Sequence, residues 1–305
     1  MSEAAWRALR ELPRPNLAKG GTRLLVETRK RLLRELDRNP LWKPVVEVLT
    51  RLLESAFQPA QLRLRGLDSR SPKALLDKLI QHEAVHPIHS REELRRRLRA
   101  DRRCFALTHR ALPGELLIFA EVALTQGLSS KIQPLLDPKQ PVLPPETADH
   151  AMFYSISSCQ EGLRGIPFGG ELIERAMQAL KDEFPKLERF ATLSPVPGLR
   201  DWMARYMPSL DLMKLRDPRW MCAHYLLKVR RGGEPWDPVA RFHLRNGARL
   251  ERVNALEDIS GTGMERSAGF MVNYVYRPEE IQRNRTAYLK THAIAASPEV
   301  EALAR

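Results

Sequence analysis

Residues 153–202 read FYSISSCQEGLRGIPFGGELIERAMQALKDEFPKLERFATLSPVPGLRDW, and the hydrophobic period of this stretch changes along its length. Ala151 to Ser157 alternates as a buried strand does. Gln160 to Gly170 is a loop carrying Gly162, Gly165, Gly169 and Gly170. Glu171 to Phe184 repeats at helical spacing, with Leu172, Ile173, Ala176, Met177, Leu180 and Phe184 on one face, and Pro185 ends it. Phe190 to Leu193 is a second short strand that delivers Ser194 to a turn built from Pro195, Pro197 and Gly198. A helix bearing Trp202 follows. Strand, glycine loop, helix, strand is the order that presents backbone N–H groups to an anion at a helix start.

The chain upstream reads differently. Residues 1 to about 100 are expected to be almost wholly helical. From Thr22 to Asp37, Leu24, Leu25, Leu32, Leu33 and Leu36 share a face; from Leu41 to Phe57, so do Val45, Val46, Leu49, Leu52, Leu53 and Ala56. Ser71-Pro72 starts another helix, and Ser90 with Glu93 forms a capping box for the next. Arg95, Arg96 and Arg97 on that helix read as its solvated face, since no aromatic residues interleave with them as nucleic-acid stacking requires. From Arg103 the pattern turns to strands. Cys104–Leu107 and Leu116–Thr125, around a Pro113-Gly114 turn, read as a hairpin, and residues 134 to 149 form a proline-rich loop. Beyond Trp202, a helix spans residues 219 to 231. Pro238–Leu244 is a short helix bearing His243, Leu250–Val253 and Phe270–Tyr276 are strands, and the tail from residue 278 is mainly helical. The fold class is therefore α+β, with a helical domain over residues 1–100 and a mixed β-sheet domain flanked by helices over residues 101–305.

The 305 residues, 43% hydrophobic and 29% charged, describe an ordinary globular chain rather than a disordered one. A formal net charge of +13 suits an anionic partner or simply an arginine-rich surface. Cys104, Cys159 and Cys222 form no CxxC pair, which argues against structural zinc and suits a reducing compartment. The first residues lack the apolar core of a secretory signal, Glu3 and Glu11 argue against a transit peptide, and no apolar run is long enough to span a membrane. The expected location is the cytoplasm.

Individual motifs leave alternatives open. The glycine loop matches neither the P-loop nor the Rossmann spacing, so a plain tight turn explains it as well as a phosphate cradle. Ser194 is not in a G-x-S-x-G elbow and fits a helix N-cap as well as a reactive hydroxyl. His243 fits a packed side chain as well as a proton carrier. His82-Glu83-Ala84-Val85-His86 has the H-E-x-x-H form of a zinc site, but Pro87 disfavours helix at its end, and no metal is expected.

Taken together, EAVHPIHSREELRRRL, EVALTQGLSSKIQPLL, FYSISSCQEGLRGIPFGGELI, FATLSPVPGLRDW, DPVARFHLRNGARLERVN and SAGFMVNYVY resemble the malonyl-CoA decarboxylase family, in family order over roughly residues 20 to 300. The resemblance implies a helical N-terminal domain and a catalytic domain of the GNAT acyltransferase fold. It implies conversion of malonyl-CoA to acetyl-CoA and carbon dioxide, within fatty acid metabolism, in a homo-oligomer that takes neither nucleic acid nor membrane as partner. It assigns the CoA pyrophosphate to Arg164, Gly165, Ile166, Pro167, Phe168, Gly169 and Gly170, with Ile173 one turn on, and catalysis to Ser194 and His243. CoA is then part of the substrate, and no separate cofactor is implied. The sequence departs from the family in a shorter helical region, through which relatives partly assemble, and in Pro167, where some relatives are acidic. The rival expectation is an acyl-CoA-dependent acyltransferase of the same fold.

Overall fold

The structure, a computed structural model, describes residues 20–305. Their chain divides into two compact units, but not at a single point near residue 100. The first takes the described residues through His82, then Phe105–Phe119 and Ser157–Ala176; the second takes Glu83–Cys104, Ala120–Ile156 and Met177–Arg305. Both helices and sheet are present, as the α+β assignment requires.

In the first unit, helices α1 (Gly21–Glu35) and α2 (Lys43–Ala56) pack on each other, followed by strand β1 (Leu62–Leu67) and helix α3 (Lys73–His82). The expected run of helix up to residue 100 is thus interrupted. Leu62-Arg63-Leu64-Arg65 alternates apolar and charged residues, the period of a half-buried strand, and β1 lies beside β2 (Arg102–His109). α2 buries Val46, Leu49, Leu53 and Ala56 of its expected face, while Val45 is half-buried and Leu52 is exposed. α1 does not bury its leucines. Its inward stripe is Thr22, Val26 and Arg29, while Leu24 is 68% exposed. The offset has a cause: α1 packs against the turn at Glu161–Leu163, where a Cβ on Gly162 would lie 2.1 Å from the Val26 carbonyl oxygen. Only glycine allows that approach.

The second unit holds helix α4 (Arg91–Arg97), and Ser90 caps it by accepting the Glu93 N–H at 3.1 Å. Strands β3 (Ile118–Thr125), β4 (His150–Ser158), β5 (Arg189–Thr192) and β6 (Ser194–Pro195) follow, with the short helix α5 (Gln133–Leu136) between β3 and β4. Helix α6 (Phe168–Glu183), whose residues through Ala176 belong to the first unit, carries the chain from β4 to β5, which pair in parallel from His150↔Arg189 to Phe153↔Thr192. Then come helices α7 (Leu199–Tyr206) and α8 (Arg219–Lys228), and a small ribbon of β7 (Arg230–Arg231) and β8 (Glu234–Pro235). Gly232 and Gly233 turn that ribbon, both at positive φ, so α8 stops three residues earlier than its periodicity suggests. Helix α9 (Pro238–Arg245), strand β9 (Arg249–Asn254), helix α10 (Gly261–Ser267), strand β10 (Met271–Tyr276) and helices α11 (Pro278–Thr291) and α12 (Pro298–Leu303) complete the chain. The strands pair in the order β1-β2-β3-β4-β5-β10-β6, with β9 on the other edge of β10.

The basic run on α4 is only partly a solvated face. Arg95 is exposed, but Arg96 and Arg97 are each 2% exposed. Arg96 is held by Asp101 at 2.9 Å, and Arg97 pairs with the fully buried Glu121 of β3 and donates to the His86 carbonyl. Buried charges persist only when paired and hydrogen-bonded. Arg97→Ala is therefore expected to lower unfolding stability by about 3–5 kcal/mol, with an Arg97→Met/Glu121→Met double variant recovering much of it. Urea midpoints of the two variants check this.

Candidate functional site

The ladder along one edge of β10 is interrupted. Val275 and Tyr276 pair with Ala191 and Phe190 of β5, and Met271 and Val272 pair with Pro195 and Ser194 of β6, in one continuous register. Between them the backbone exchange fails. Leu193 continues the parallel ladder on the other side, its N–H donating to the Phe153 carbonyl of β4 at 2.9 Å. Side chains fill the gap: the Thr192 hydroxyl oxygen accepts the Tyr274 N–H at 3.2 Å, and the Asn273 side-chain amide donates to the Thr192 carbonyl at 2.8 Å. Asn273 is fixed in turn by Asn254, and the β9 side of β10 shifts register between Asn273 and Tyr274. Irregularities of this kind re-aim side chains at functional positions.

Because strand side chains alternate, Thr192, Ser194, Tyr274 and Tyr276 fall on one face of the sheet. The opposite face carries Ala191, Leu193 and Met271 into a core with Met152, Tyr154, Ile132 and Leu135. Helix α9 supplies the histidine to the first face. Its spacing buries Ala240, His243 and Leu244 together, and Asp237 caps it by accepting the N–H groups of Val239 and Ala240 at 2.9 and 2.8 Å.

The result is a buried chain of hydrogen-bonding groups. His243 Nδ1 lies 2.9 Å from the Tyr276 hydroxyl, and Nε2 lies 3.0 Å from Ser194 Oγ, which donates to Thr192 Oγ1 at 2.9 Å. The imidazole stacks on Tyr274, with centroids 4.6 Å apart and planes 26° from parallel. Ser194 is 6% and His243 4% exposed. Burial alone drives the His243 pKa down to about 3, so the ring is neutral at physiological pH. Burial pushes the Tyr276 phenol well above its usual value, keeping it protonated. Ser194 is neither in a loop nor a helix cap. It sits in a two-residue strand, and the N-cap of α7 is Gly198, with no side-chain cap.

The glycine loop lies in the first unit. Arg29 of α1, 4% exposed, fixes it from below: Nη1 donates to the Gly162 carbonyl at 2.7 Å, Nη2 to the Arg164 carbonyl at 2.8 Å, and Nε to Thr50 Oγ1 at 2.9 Å. Gly165 has φ +87° and would meet nothing within 4 Å of an added Cβ, so its backbone is open to close approach. α6 begins at Phe168, three residues earlier than its periodicity suggests, so Phe168, Gly169 and Gly170 form its first turn rather than the loop. The acidic residue of that turn, Glu171, is drawn to Arg175. Arg164, Gly165 and Pro167 are exposed, and Ile166 and Gly170 are half-buried. Phe168 packs edge-on against Phe57 at 5.9 Å, and Ile173 is 1% exposed, so neither of these two side chains is presented to solvent.

The H-E-x-x-H stretch is not helical throughout. α3 ends at His82, and Glu83 accepts the N–H groups of Val85 and His86 and the hydroxyl of Ser155. Among the described residues, no group of three His, Cys, Asp or Glu side chains is arranged to hold a metal. Sequence reasoning missed Thr192, Tyr276, Asp237 and Arg29. For three of them a signal existed: Thr192 and Ser194, like Tyr274 and Tyr276, are spaced by two on strands, and Asp237-Pro238 is a helix-start signature.

The sequence model of the malonyl-CoA decarboxylase C-terminal domain matches residues 60–221 and 214–305. The chain belongs to the malonyl-CoA decarboxylase family. It is 34% identical to the mitochondrial malonyl-CoA decarboxylase of Anser anser anser, over 92% of this chain and 66% of that protein. To the Mus musculus enzyme it is 32% identical, over 93% of this chain and 68% of that protein. It thus spans about two thirds of the length of these decarboxylases. The crystal structure of malonyl-CoA decarboxylase from Rhodopseudomonas palustris superposes with a TM-score of 0.86 at 36% identity, covering 99% of this chain and 82% of that one. The Agrobacterium vitis structure gives 0.85 at 41% identity, covering 94% and 77%.

The neutral histidine has a pH signature. Its pKa falls from 6.5 to about 3 on folding, so the unfolded chain takes up a proton that the folded chain refuses, and His243 withdraws stability as pH drops through that window. Asp237 has the opposite sign: burial raises it from 3.8 to about 6 against its backbone donors, so it adds stability as pH falls through that lower window. His243→Gln keeps the second effect and removes the first. The stability of the variant relative to wild type should therefore rise as pH is lowered from 6.5 to 4, measured by urea midpoints. A constant difference across that range would contradict a neutral buried imidazole.

Proposed function

We propose that the chain converts malonyl-CoA to acetyl-CoA and carbon dioxide. The observation that carries this is the buried array of Tyr276, His243, Ser194 and Thr192. Decarboxylation breaks one carbon–carbon bond, and its electron pair enters the thioester π system as an enolate. The enzyme must stabilise that charge and then deliver one proton to carbon. With the Tyr276 O–H donating to Nδ1, the neutral imidazole carries its proton on Nε2, directed at Ser194. Ser194 gives its proton to the enolate carbon in place of Thr192 and accepts the Nε2 proton in return, while Nδ1 takes the Tyr276 proton, so the ring stays neutral and the phenol is the group left to be reprotonated. Solvent restores the proton consumed in each turnover. In this reading Ser194 is the proton acceptor and His243 the proton donor. The ordered hydroxyls also hold the malonyl carboxylate out of the thioester plane, where the breaking bond overlaps the π system.

The CoA diphosphate is assigned to the backbone from Arg164 to Gly170, where Gly165 is open and α6 begins. Phe168 and Ile173 contribute through their backbone and by packing rather than by side-chain contact. The chemistry as drawn needs no metal, biotin or flavin. We place the reaction in fatty acid metabolism, in a cytoplasmic homo-oligomer. The three free cysteines suit a reducing compartment, and no helix among the described residues is long and apolar enough to cross a membrane.

Incubation of the purified chain with malonyl-CoA, following both carbon dioxide and acetyl-CoA, tests the reading; transfer to an acceptor without free acetyl-CoA would favour an acyltransferase. Ser194→Ala and His243→Ala are each expected to lower turnover by about 10²–10⁴-fold while CoA affinity stays within a few-fold. Tyr276→Phe, which keeps the ring and loses the partner of Nδ1, should lose less. Near-normal turnover in either alanine variant would sink the assigned roles.

A further inference from the structure

A cavity of about 780 Å³ opens within the first unit. Gly162 and Arg164 of the glycine loop line it, together with Arg23, Lys30 and Arg34 of α1 and Lys78 of α3. Three carboxylates share this lining. Glu115 is divided between Arg23 and Lys78, Glu161 is held by Arg34, and Glu27 lies 3.6 Å from Lys30. Five cations against three carboxylates leave two positive charges in excess, with the histidine neutral. The excess sits in identifiable places. Arg164 enters no ion pair among the described residues, and Lys30 has only a distant one. The remaining cations are already ordered: Lys78 is fixed between Glu115 and the Gly114 carbonyl, and Arg34 forks onto Glu161. Their field reaches His82, which burial first, and then Lys78 and Lys30, hold below its ordinary pKa in spite of Glu115.

We propose that this cavity is the subsite for the 3′-phosphate of the CoA moiety, with Lys30 and Arg164 as its principal ligands. The inference rests on the decarboxylase reading above and extends it to the nucleotide end of the substrate. In CoA the 3′-phosphate and the diphosphate are carried by the same ribose. A ligand whose diphosphate meets the open backbone at Gly165 must place its 3′-phosphate within a ribose width, and Arg164 is the adjacent residue. A phosphate dianion matches an excess of two positive charges. The carboxylates keep the cavity from being so basic that any polyanion fills it, and they hold Arg34 and Lys78 in place while leaving Lys30 and Arg164 for the phosphate.

The test compares CoA with 3′-dephospho-CoA by calorimetry on the purified chain, and malonyl-CoA with malonyl-3′-dephospho-CoA by carbon dioxide release. Loss of the 3′-phosphate is expected to weaken binding about ten-fold or more, with the difference shrinking as salt is raised. Lys30→Gln is expected to lower CoA affinity about three- to ten-fold and to leave 3′-dephospho-CoA affinity unchanged, which also shows the variant is folded. Equal binding of the two ligands by the wild type, or an equal loss for both in the variant, overturns the proposal while malonyl-CoA is still decarboxylated. No carbon dioxide from either substrate overturns the decarboxylase reading instead, and an absence of binding to both ligands overturns the subsite with it.

Discussion

The second unit depends on one failed exchange of backbone hydrogen bonds. At Thr192 and Leu193 the bridges to β10 lapse while the pairing with β4 continues, and they resume at Ser194 without a change of register. A regular ladder would satisfy every N–H and C=O and would leave no hydroxyl with work to do. Here the backbone groups that lose their partners are satisfied by the Thr192 hydroxyl and the Asn273 amide. Buried peptide groups tolerate no other solution, since an unpaired one costs about 1–3 kcal/mol. The polar side chains at this point are therefore first a structural requirement of the broken sheet. Their availability for chemistry follows from it, because Ser194 is the next residue on the same face and its oxygen meets both Thr192 and His243.

The first unit solves a different backbone problem by related means. The loop proposed to meet the CoA diphosphate must expose N–H groups without collapsing, and its carbonyls must go elsewhere. Two of those carbonyls are taken by one guanidinium, Arg29, whose planar fork reaches both while its Nε is anchored on Thr50. Lysine could not span them. That buried arginine displaces leucine from the inward stripe of α1 and explains why Leu24 faces solvent. The helix is set by the loop it supports rather than by its own apolar periodicity.

These two cases mark what was legible in the sequence. Regular segments were: the α2 stripe, the β4–α6–β5 order and the Ser90 cap all follow from local pattern, because local pattern is what forms them. β1 was not, since four alternating residues inside a helical neighbourhood look like a helix face. Arg96 and Arg97 were not, because a buried ion pair and a solvated charge share one residue type, and only Asp101 and Glu121 distinguish them. Ser194 and His243 could be singled out only by family resemblance, since nothing local links residues 49 apart in sequence. The hydrogen bond between them is a product of sheet register and of the place where α9 carries His243, and neither is written in a short motif.

The histidine shows why such a site asks for support from further away. A fully buried imidazole has lost its solvation and is held neutral at physiological pH by that loss alone. A neutral ring has one proton, and which nitrogen carries it is decided by the partner of the other. Tyr276 is that partner, and burial prevents its phenol from ionising. Were Tyr276 ionised, Nδ1 would keep the proton and Nε2 could only accept from Ser194, reversing the direction of the chain. The apolar surroundings thus set the charge of His243, and the Ser194 proton donated to Thr192 sets the polarity of its hydrogen bonds. The Asp237 cap holds the helix that keeps the ring in place, and it does so from a buried carboxyl whose own pKa burial has raised to about 6. Near neutral pH the cap is ionised and accepts from the helix while the imidazole stays neutral. One desolvated environment therefore suits both groups only over the pH range in which the carboxyl has lost its proton and the ring has not gained one.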